Sequence, residues 1–230
     1  MVPDPLTHAS VNKMVVLDAG FRILHEISSL SLPSFVKKNG NSPPYWAEYM
    51  SHRFKMNATG IKGFSCFTSD DQVFTALLGK YEVTRWSRDF HKLATITHEY
   101  NPRPFSTEEY DSMVLTYYDM CTANMSEQTR SIVTVNVIRK AMAMAGFPEV
   151  KYPVYSIKVT DDDRLVVVHD LNELTGAAIA HVFDQAGQFQ SSFEHSNFGL
   201  RTMIFKNSQA YAIELMPDGE NVLARYSISK

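Results

Sequence analysis

Histidine is the side chain that most often carries proton transfer or a metal, and the chain has eight. His91 and His98 lie seven residues apart in a stretch whose apolar spacing predicts a helix, with Glu99 beside the second. Zinc helices place two imidazoles four residues apart so that both reach one ion. Seven residues separate them by about 10 Å along a helix axis, too far to share a metal. His169-Asp170 and Glu194-His195 are neighbours in strand-like segments. Consecutive side chains of a strand point to opposite faces, so neither pair is expected to act as a dyad. No metal and no cofactor are expected.

The nucleophiles lack a motif. Gly63-Phe64-Ser65-Cys66-Phe67 approaches a nucleophile elbow but has no second glycine at the G-x-S-x-G position. Cys66 with a distant histidine would make a thiol enzyme; set among phenylalanines, it reads instead as a small buried apolar residue. Asp161-Asp162-Asp163 lacks the alternating spacing that wraps oxygens round Ca²⁺ and reads as a solvated turn. The phosphate loops G-x-x-x-x-G-K-[ST] and G-x-G-x-x-G are absent. Gly60-Ile61-Lys62-Gly63 has the G-x-x-G outline that clamps a nucleic-acid backbone, four residues being too few for specificity.

A basic and aromatic pattern is the most suggestive feature. Arg85, Arg88 and Lys92 fall at i, i+3 and i+7 of a predicted helix, interleaved with Trp86, Phe90 and His91. Arg53, Lys55 and Lys62 form a second set near Tyr45 and Tyr49. Cations neutralise phosphates and aromatic rings stack on bases, so these are the residue types of a single-strand groove. The competing reading makes Trp86 and Phe90 core residues and the charges a solvated helix face. Charge favours the second. The chain is at −3 overall with a pI near 6.2. Residues 1–103 carry 12 Lys/Arg against 9 Asp/Glu, and residues 104–230 carry 10 against 16. Nucleic-acid binding is therefore expected to be weak.

The elements that position these residues follow from periodicity. Met14, Leu17, Phe21 and Leu24 draw one helix stripe over Ser10–Leu30. Pro43-Pro44 opens a second helix reaching about Asn57 and burying Trp46, Met50 and Phe54. Gly60 and Gly63 flank a short extended piece, Ile61 to Phe67. Ser69 and Gln72 read as a capping box before a helix ending at Gly79, and Trp86, Phe90, Leu93 and Thr97 mark another. Ser106 and Glu109 form a capping box before the stripe Met113, Val114, Tyr117 and Cys121. A last long helix runs from Glu127 to Ala145, stopped by Gly146 and Pro148. After that the period changes to two. Strands are expected at 154–160, 164–169, 189–194, 200–205, 210–215 and 222–228, with one helix over 173–186 and a turn at 161–163. No internal repeat is evident. The expected fold is α+β: a helical region over 1–148, about the first two-thirds, then a mostly antiparallel β-rich region over 149–230.

The start of the chain has no basic region followed by an apolar one, and no apolar stretch approaches the ~20 residues that span a bilayer. An intracellular, cytoplasmic protein with unbridged Cys66 and Cys121 is expected. The leading expectation for function is a non-enzymatic structural or assembly protein. It would act through contacts with itself or other subunits of a larger complex such as a virus or phage particle. A nucleic-acid-binding protein comes second and a thiol- or His-dependent enzyme third.

Overall fold

The computed structural model describes residues 10–17, 23–32, 40–58, 63–172, 174–195, 203–206, 209–215 and 220–227. The chain divides into two compact units, each made from two stretches: 1–61 with 106–148, and 62–105 with 149–230.

Unit 1 holds the helices α1 (Pro43–Ala58), α2 (Thr107–Thr122), α3 (Glu127–Arg130) and α4 (Val135–Ala145). Ala47, Met50 and Phe54 recur at three- and four-residue spacing along α1 and pack with Val114 of α2 and with Val137, Ile138, Ala141 and Met142 of α4. The expected capping box forms. Ser106 Oγ accepts from the Glu109 amide, and the Glu109 carboxylate accepts from the Ser106 amide. Gly146 ends α4 at φ 78°, where its amide reaches the carbonyls of Ala143 and Met142. The single helix expected over Glu127–Ala145 is broken after Arg130, because β-branched Ile132 and Val133 and the extended Thr134 interrupt the helical run.

Two antiparallel strands, β1 (Ser10–Leu17) and β2 (Ile23–Leu32), replace the helix expected over Ser10–Leu30. The stripe of four apolar residues is outweighed by Val11, Val15, Val16, Ile23 and Ile27, whose branched side chains suit a pleated surface, with Gly20 between the two runs.

Unit 2 is all β apart from its loops. A meander of β3 (Gly63–Phe67), β4 (Val73–Leu77), β5 (Glu82–Trp86) and β6 (Lys92–Thr97) is followed, beyond unit 1, by a second one. That second meander is β7 (Ser156–Val159), β8 (Leu165–His169), β9 (Ala178–Phe183) and β10 (Phe189–His195). A third sheet orders β11 (Ile204–Lys206), β12 (Gln209–Leu215) and β13 (Asn221–Ser227). Strand β8 of the middle sheet is buried on both faces. Leu165, Val167 and Phe183 pack on Phe74, Ala76, Val83 and Ile96 of the first sheet. Val166, Val168, Ala180 and Val182 pack on Met203, Phe205 and Ala210 of the third. The helical first two-thirds is thus wrong: six strands precede α2, and the fold is mainly antiparallel sheet.

The two four-stranded meanders repeat one turn four times, in Thr68–Gln72, Ser87–His91, Thr160–Arg164 and Asp184–Gln188. In each, the amide of the first residue donates to the carbonyl of the fifth, and the amide of the fourth to the carbonyl of the first. The first side chain accepts from the fifth amide over 2.8–3.0 Å. The fourth residue is left-handed in every case: Asp71 (φ 62°), Phe90 (φ 59°), Asp163 (φ 59°) and Gly187 (φ 82°). This internal repeat is structural, with little shared sequence, which is why the residues alone did not display it. It also explains the false helix over 69–78. A hydroxyl taking an amide a few residues on serves a hairpin turn as well as a helix cap. The expected helix over 86–97 is likewise β5, its turn and β6. The one expected over 173–186 fails because Gly176 (φ 76°) closes a loop back to Asn172, so that β9 starts at Ala178 and Asp184–Gly187 is a turn.

Candidate functional site

The six basic residues singled out by spacing do not share an element. Arg53 and Lys55 lie on α1 in unit 1, Lys62 falls outside the described residues, and Arg85, Arg88 and Lys92 belong to the β5–β6 hairpin of unit 2. A spacing of three and seven makes a stripe only on a helix. On this hairpin Arg85 sits beside Phe74 on the face toward the middle sheet, 5.7 Å from the ring centroid, whereas Lys92 pairs with Trp86 on the opposite face. The Arg85 guanidinium donates to Gln72 Oε1 and to the Gln185 carbonyl. Arg88 pairs with Asp71 at 3.6 Å, with both side chains largely exposed. Trp86 is held by its indole N–H donating to Thr75 Oγ1 over 2.8 Å.

Cys66 faces the inter-sheet core from β3. Burial pushes its thiol up to about 12, against the pull of Lys158, so it stays protonated at neutral pH and is a poor nucleophile. Both cysteines are free.

A different set of residues does converge, at the end of unit 2 away from the four repeated turns. Tyr81 enters β5, His98 and Tyr100 follow β6, His169 ends β8, and His181 lies in β9. His169 and His181 are diagonal neighbours of the β8–β9 ladder and face the first sheet. Tyr81 Oη lies 2.7 Å from His181 Nδ1, and His181 Nε2 lies 3.1 Å from His169 Nε2. His169 Nδ1 is 3.5 Å from Asp170 Oδ2, too long for a good hydrogen bond. The Asp170 carboxylate accepts from Tyr100 Oη over 2.6 Å and meets Arg103 Nε at 3.4 Å. His98 packs edge-on to His181 and stacks on Phe189 at 4.7 Å between centroids.

One arrangement of protons satisfies this chain. With Tyr81 donating to Nδ1, His181 carries its proton on Nε2 and donates to Nε2 of His169. The His169 proton then lies on Nδ1, facing the carboxylate. The reverse order would aim the Nδ1 lone pair of His169 at Asp170. Both imidazoles are held below the ordinary histidine range, chiefly by burial. The His181 value falls to about 4, with His169 and His98 adding to the effect and Asp170 opposing it. For His169, Arg103 and His98 work with burial while Asp170 opposes. Burial also raises the phenols of Tyr81 and Tyr100, so both remain donors. The Asp170 carboxyl group faces the Arg103 guanidinium.

Strand alternation was the reason to expect no His169-Asp170 contact, and the backbone overrides it. Asp170 has φ 52°, a left-handed turn that ends the strand and brings its carboxylate back to the side of His169. The signal available in the sequence was an aspartate, a residue type that tolerates this conformation, after a β-branched run. The meeting of His98, His169 and His181 has no sequence signal, since it depends on two sheets packing. His91 is exposed at the opposite end of β6 from His98.

Among the described residues no group of three or more His, Cys, Asp or Glu is placed to hold a metal ion. No helix among them is long and apolar enough to cross a membrane. No protein-family model matches the chain, and no curated protein is similar enough to count as a relative.

Proposed function

We propose that the protein is a non-enzymatic assembly subunit that associates with a second copy of itself through the outer face of the β11–β13 sheet. The observation that carries this reading is the composition of that face. Ile213 pairs with Leu223, and Ile204 pairs with Tyr211 two residues before Ile213, so these side chains share one side of the sheet. Ile204, Ile213 and Leu223 are 61%, 52% and 70% exposed. In a stack of similar sheets the terminal one needs a polar outer face to be soluble alone. Here the inner face buries Met203, Phe205 and Ala210, and the outer one exposes Ile204, Ile213 and Leu223 beside Lys206 and Arg225.

A second copy suits this face. Its exposed cations lie to one side of the Ile213–Leu223 row, Arg225 in the next row with Ile204 and Tyr211 and Lys206 one row further. A two-fold partner running in the opposite direction would bring the apolar ends together and keep the cations apart. Burying each such aliphatic side chain is worth roughly 1.5–3 kcal/mol. Nucleic-acid binding is less supported, because Arg85 is engaged with Gln72, Gln185 and Phe74, and Arg88 with Asp71. A thiol enzyme is less supported because Cys66 stays protonated.

Salt dependence tests the reading. Apolar association survives a rise to about 0.5 M salt, where charge contacts are screened, and Leu223→Asp abolishes it. Association that disappears with salt, or that is indifferent to Leu223→Asp, would contradict it.

A further inference from the structure

We propose that the His169–His181 pair is an acid-sensitive latch joining the two four-stranded sheets of unit 2, closed while both imidazoles are neutral and released as the pair takes up protons. The latch crosses between sheets: Tyr81 belongs to the first meander and His181 to the second, and their 2.7 Å contact sits at the edge of the core they share. The neighbouring link, Tyr100 to Asp170, crosses in the same place.

In the neutral pair every nitrogen that can accept already does so. A first proton on His169 goes to Nε2 and obliges the chain to reverse: His181 moves its own proton to Nδ1 and accepts at Nε2 across the 3.1 Å contact. The reversed chain turns Tyr81 Oη from donor to acceptor at His181 Nδ1, and a second proton, for which only His181 Nε2 is left, puts two N–H groups face to face. The first proton therefore costs a reversal of the chain together with a buried charge, and the second breaks the His169–His181 link. The charged groups around the pair do not compensate. From the first sheet the pair meets Tyr81, His98, Tyr100 and Arg103: two neutral phenols, a third imidazole and a cation. From its own sheet it meets Asp170, whose carboxylate is already shared by Tyr100 and Arg103, and the apolar rings of Phe183 and Phe189. An imidazolium at His169 is drawn by Asp170 at 3.5 Å, but it loses its water, and Arg103 and His98 oppose it. Opening the junction restores hydration, so acid favours the open form; burial lowers both histidines in the same sense.

Hydrogen exchange followed by mass spectrometry on the full chain tests this, with rates corrected for the intrinsic pH dependence. Peptides covering 79–86, 94–100 and 176–183 should lose protection by up to about tenfold per pH unit per proton between pH 6.5 and pH 5, since each proton taken up on opening contributes that slope. Peptides from α2 and α4 should not respond. A His169→Gln/His181→Gln variant, which keeps polar groups but cannot titrate, should show pH-independent protection in the same peptides. The imidazole titration of the wild-type chain, followed by NMR, gives a readout that needs no variant. Flat protection of the wild type across this range would overturn the latch. So would an unchanged pH response in the double variant, or either histidine titrating above 6.5. Loss of protection on adding a chelator at constant pH would overturn it too, by making the pair a metal site.

Discussion

Tyr81 Oη and His181 Nδ1 lie 2.7 Å apart although a hundred residues separate them in the chain. The contact sets the protonation state of the whole cluster, because a donor to Nδ1 favours neutral imidazole. Tyr81→Phe removes that donor without changing the ring. It should raise the His181 value from about 4 and cost about 1 kcal/mol of stability at neutral pH. NMR titration and urea unfolding read the two effects.

The sign of the pH dependence follows from the same groups. His169 and His181 are lower in the folded chain than in the unfolded one, so the unfolded chain binds more protons in the window from about 6.5 down to about 4. Their contribution is complete above the unfolded value and is lost as pH falls through that window. The urea midpoint should be flat above about pH 7 and fall on acidification, with the double glutamine variant falling less. A midpoint that rises between pH 7 and pH 5 would show that the histidines gain a charged partner on folding.

In unit 1, Ser106 and Glu109 satisfy two amides at the start of α2. Ser106→Ala should cost about 1 kcal/mol in reversible unfolding. A cost below about 0.3 kcal/mol would mean that water or a neighbouring group caps the helix equally well.

Gly187 closes the β9–β10 turn at φ 82°, and a Cβ there would come within 2.8 Å of Ile96 Cγ1. Gly187→Ala combines left-handed strain with a clash against the core-facing side chain of the first sheet. It should destabilise by roughly 2–4 kcal/mol. Asp71, Phe90 and Asp163 hold the equivalent position in the other three turns without glycine. Calorimetry on Gly187→Ala and on Asp71→Gly would separate the two contributions, the second change relieving strain at the cost of an exposed ion pair to Arg88.

Where local chemistry determines an element, the residues announced it. The Ser106 cap, the Gly146 stop, the α1 start at Pro43 and the Thr160–Arg164 turn were all legible, because each depends on a few neighbouring residues. Of the first meander only β3 was, as the extended piece over 61–67; β4 to β6 were not. Val73–Leu77 and Lys92–Thr97 are five and six residues long, too short for a period of two to outweigh chance spacings of three and four. Their turn hydroxyls also mimic helix caps. The candidate cluster was less legible still. His169 and His181 lie on two strands of one sheet and His98 just past a strand of another, and their meeting is a tertiary event that no local spacing encodes. Its local part, the left-handed Asp170, was hidden by the assumption that a strand continues through it. The basic residues illustrate the reverse error. Arg85, Arg88 and Lys92 form a stripe only if the segment is helical, and on a hairpin the same spacing scatters them.

The mass of the native particle tests the central claim of assembly most directly. Sedimentation equilibrium at neutral pH should give a mass of at least two chains of 26.1 kDa, with Ile213→Asp/Leu223→Asp reduced to a single folded chain. A wild-type protein that stays at the mass of one chain up to about 100 μM, a concentration at which even weak transient contacts are populated, would contradict the account.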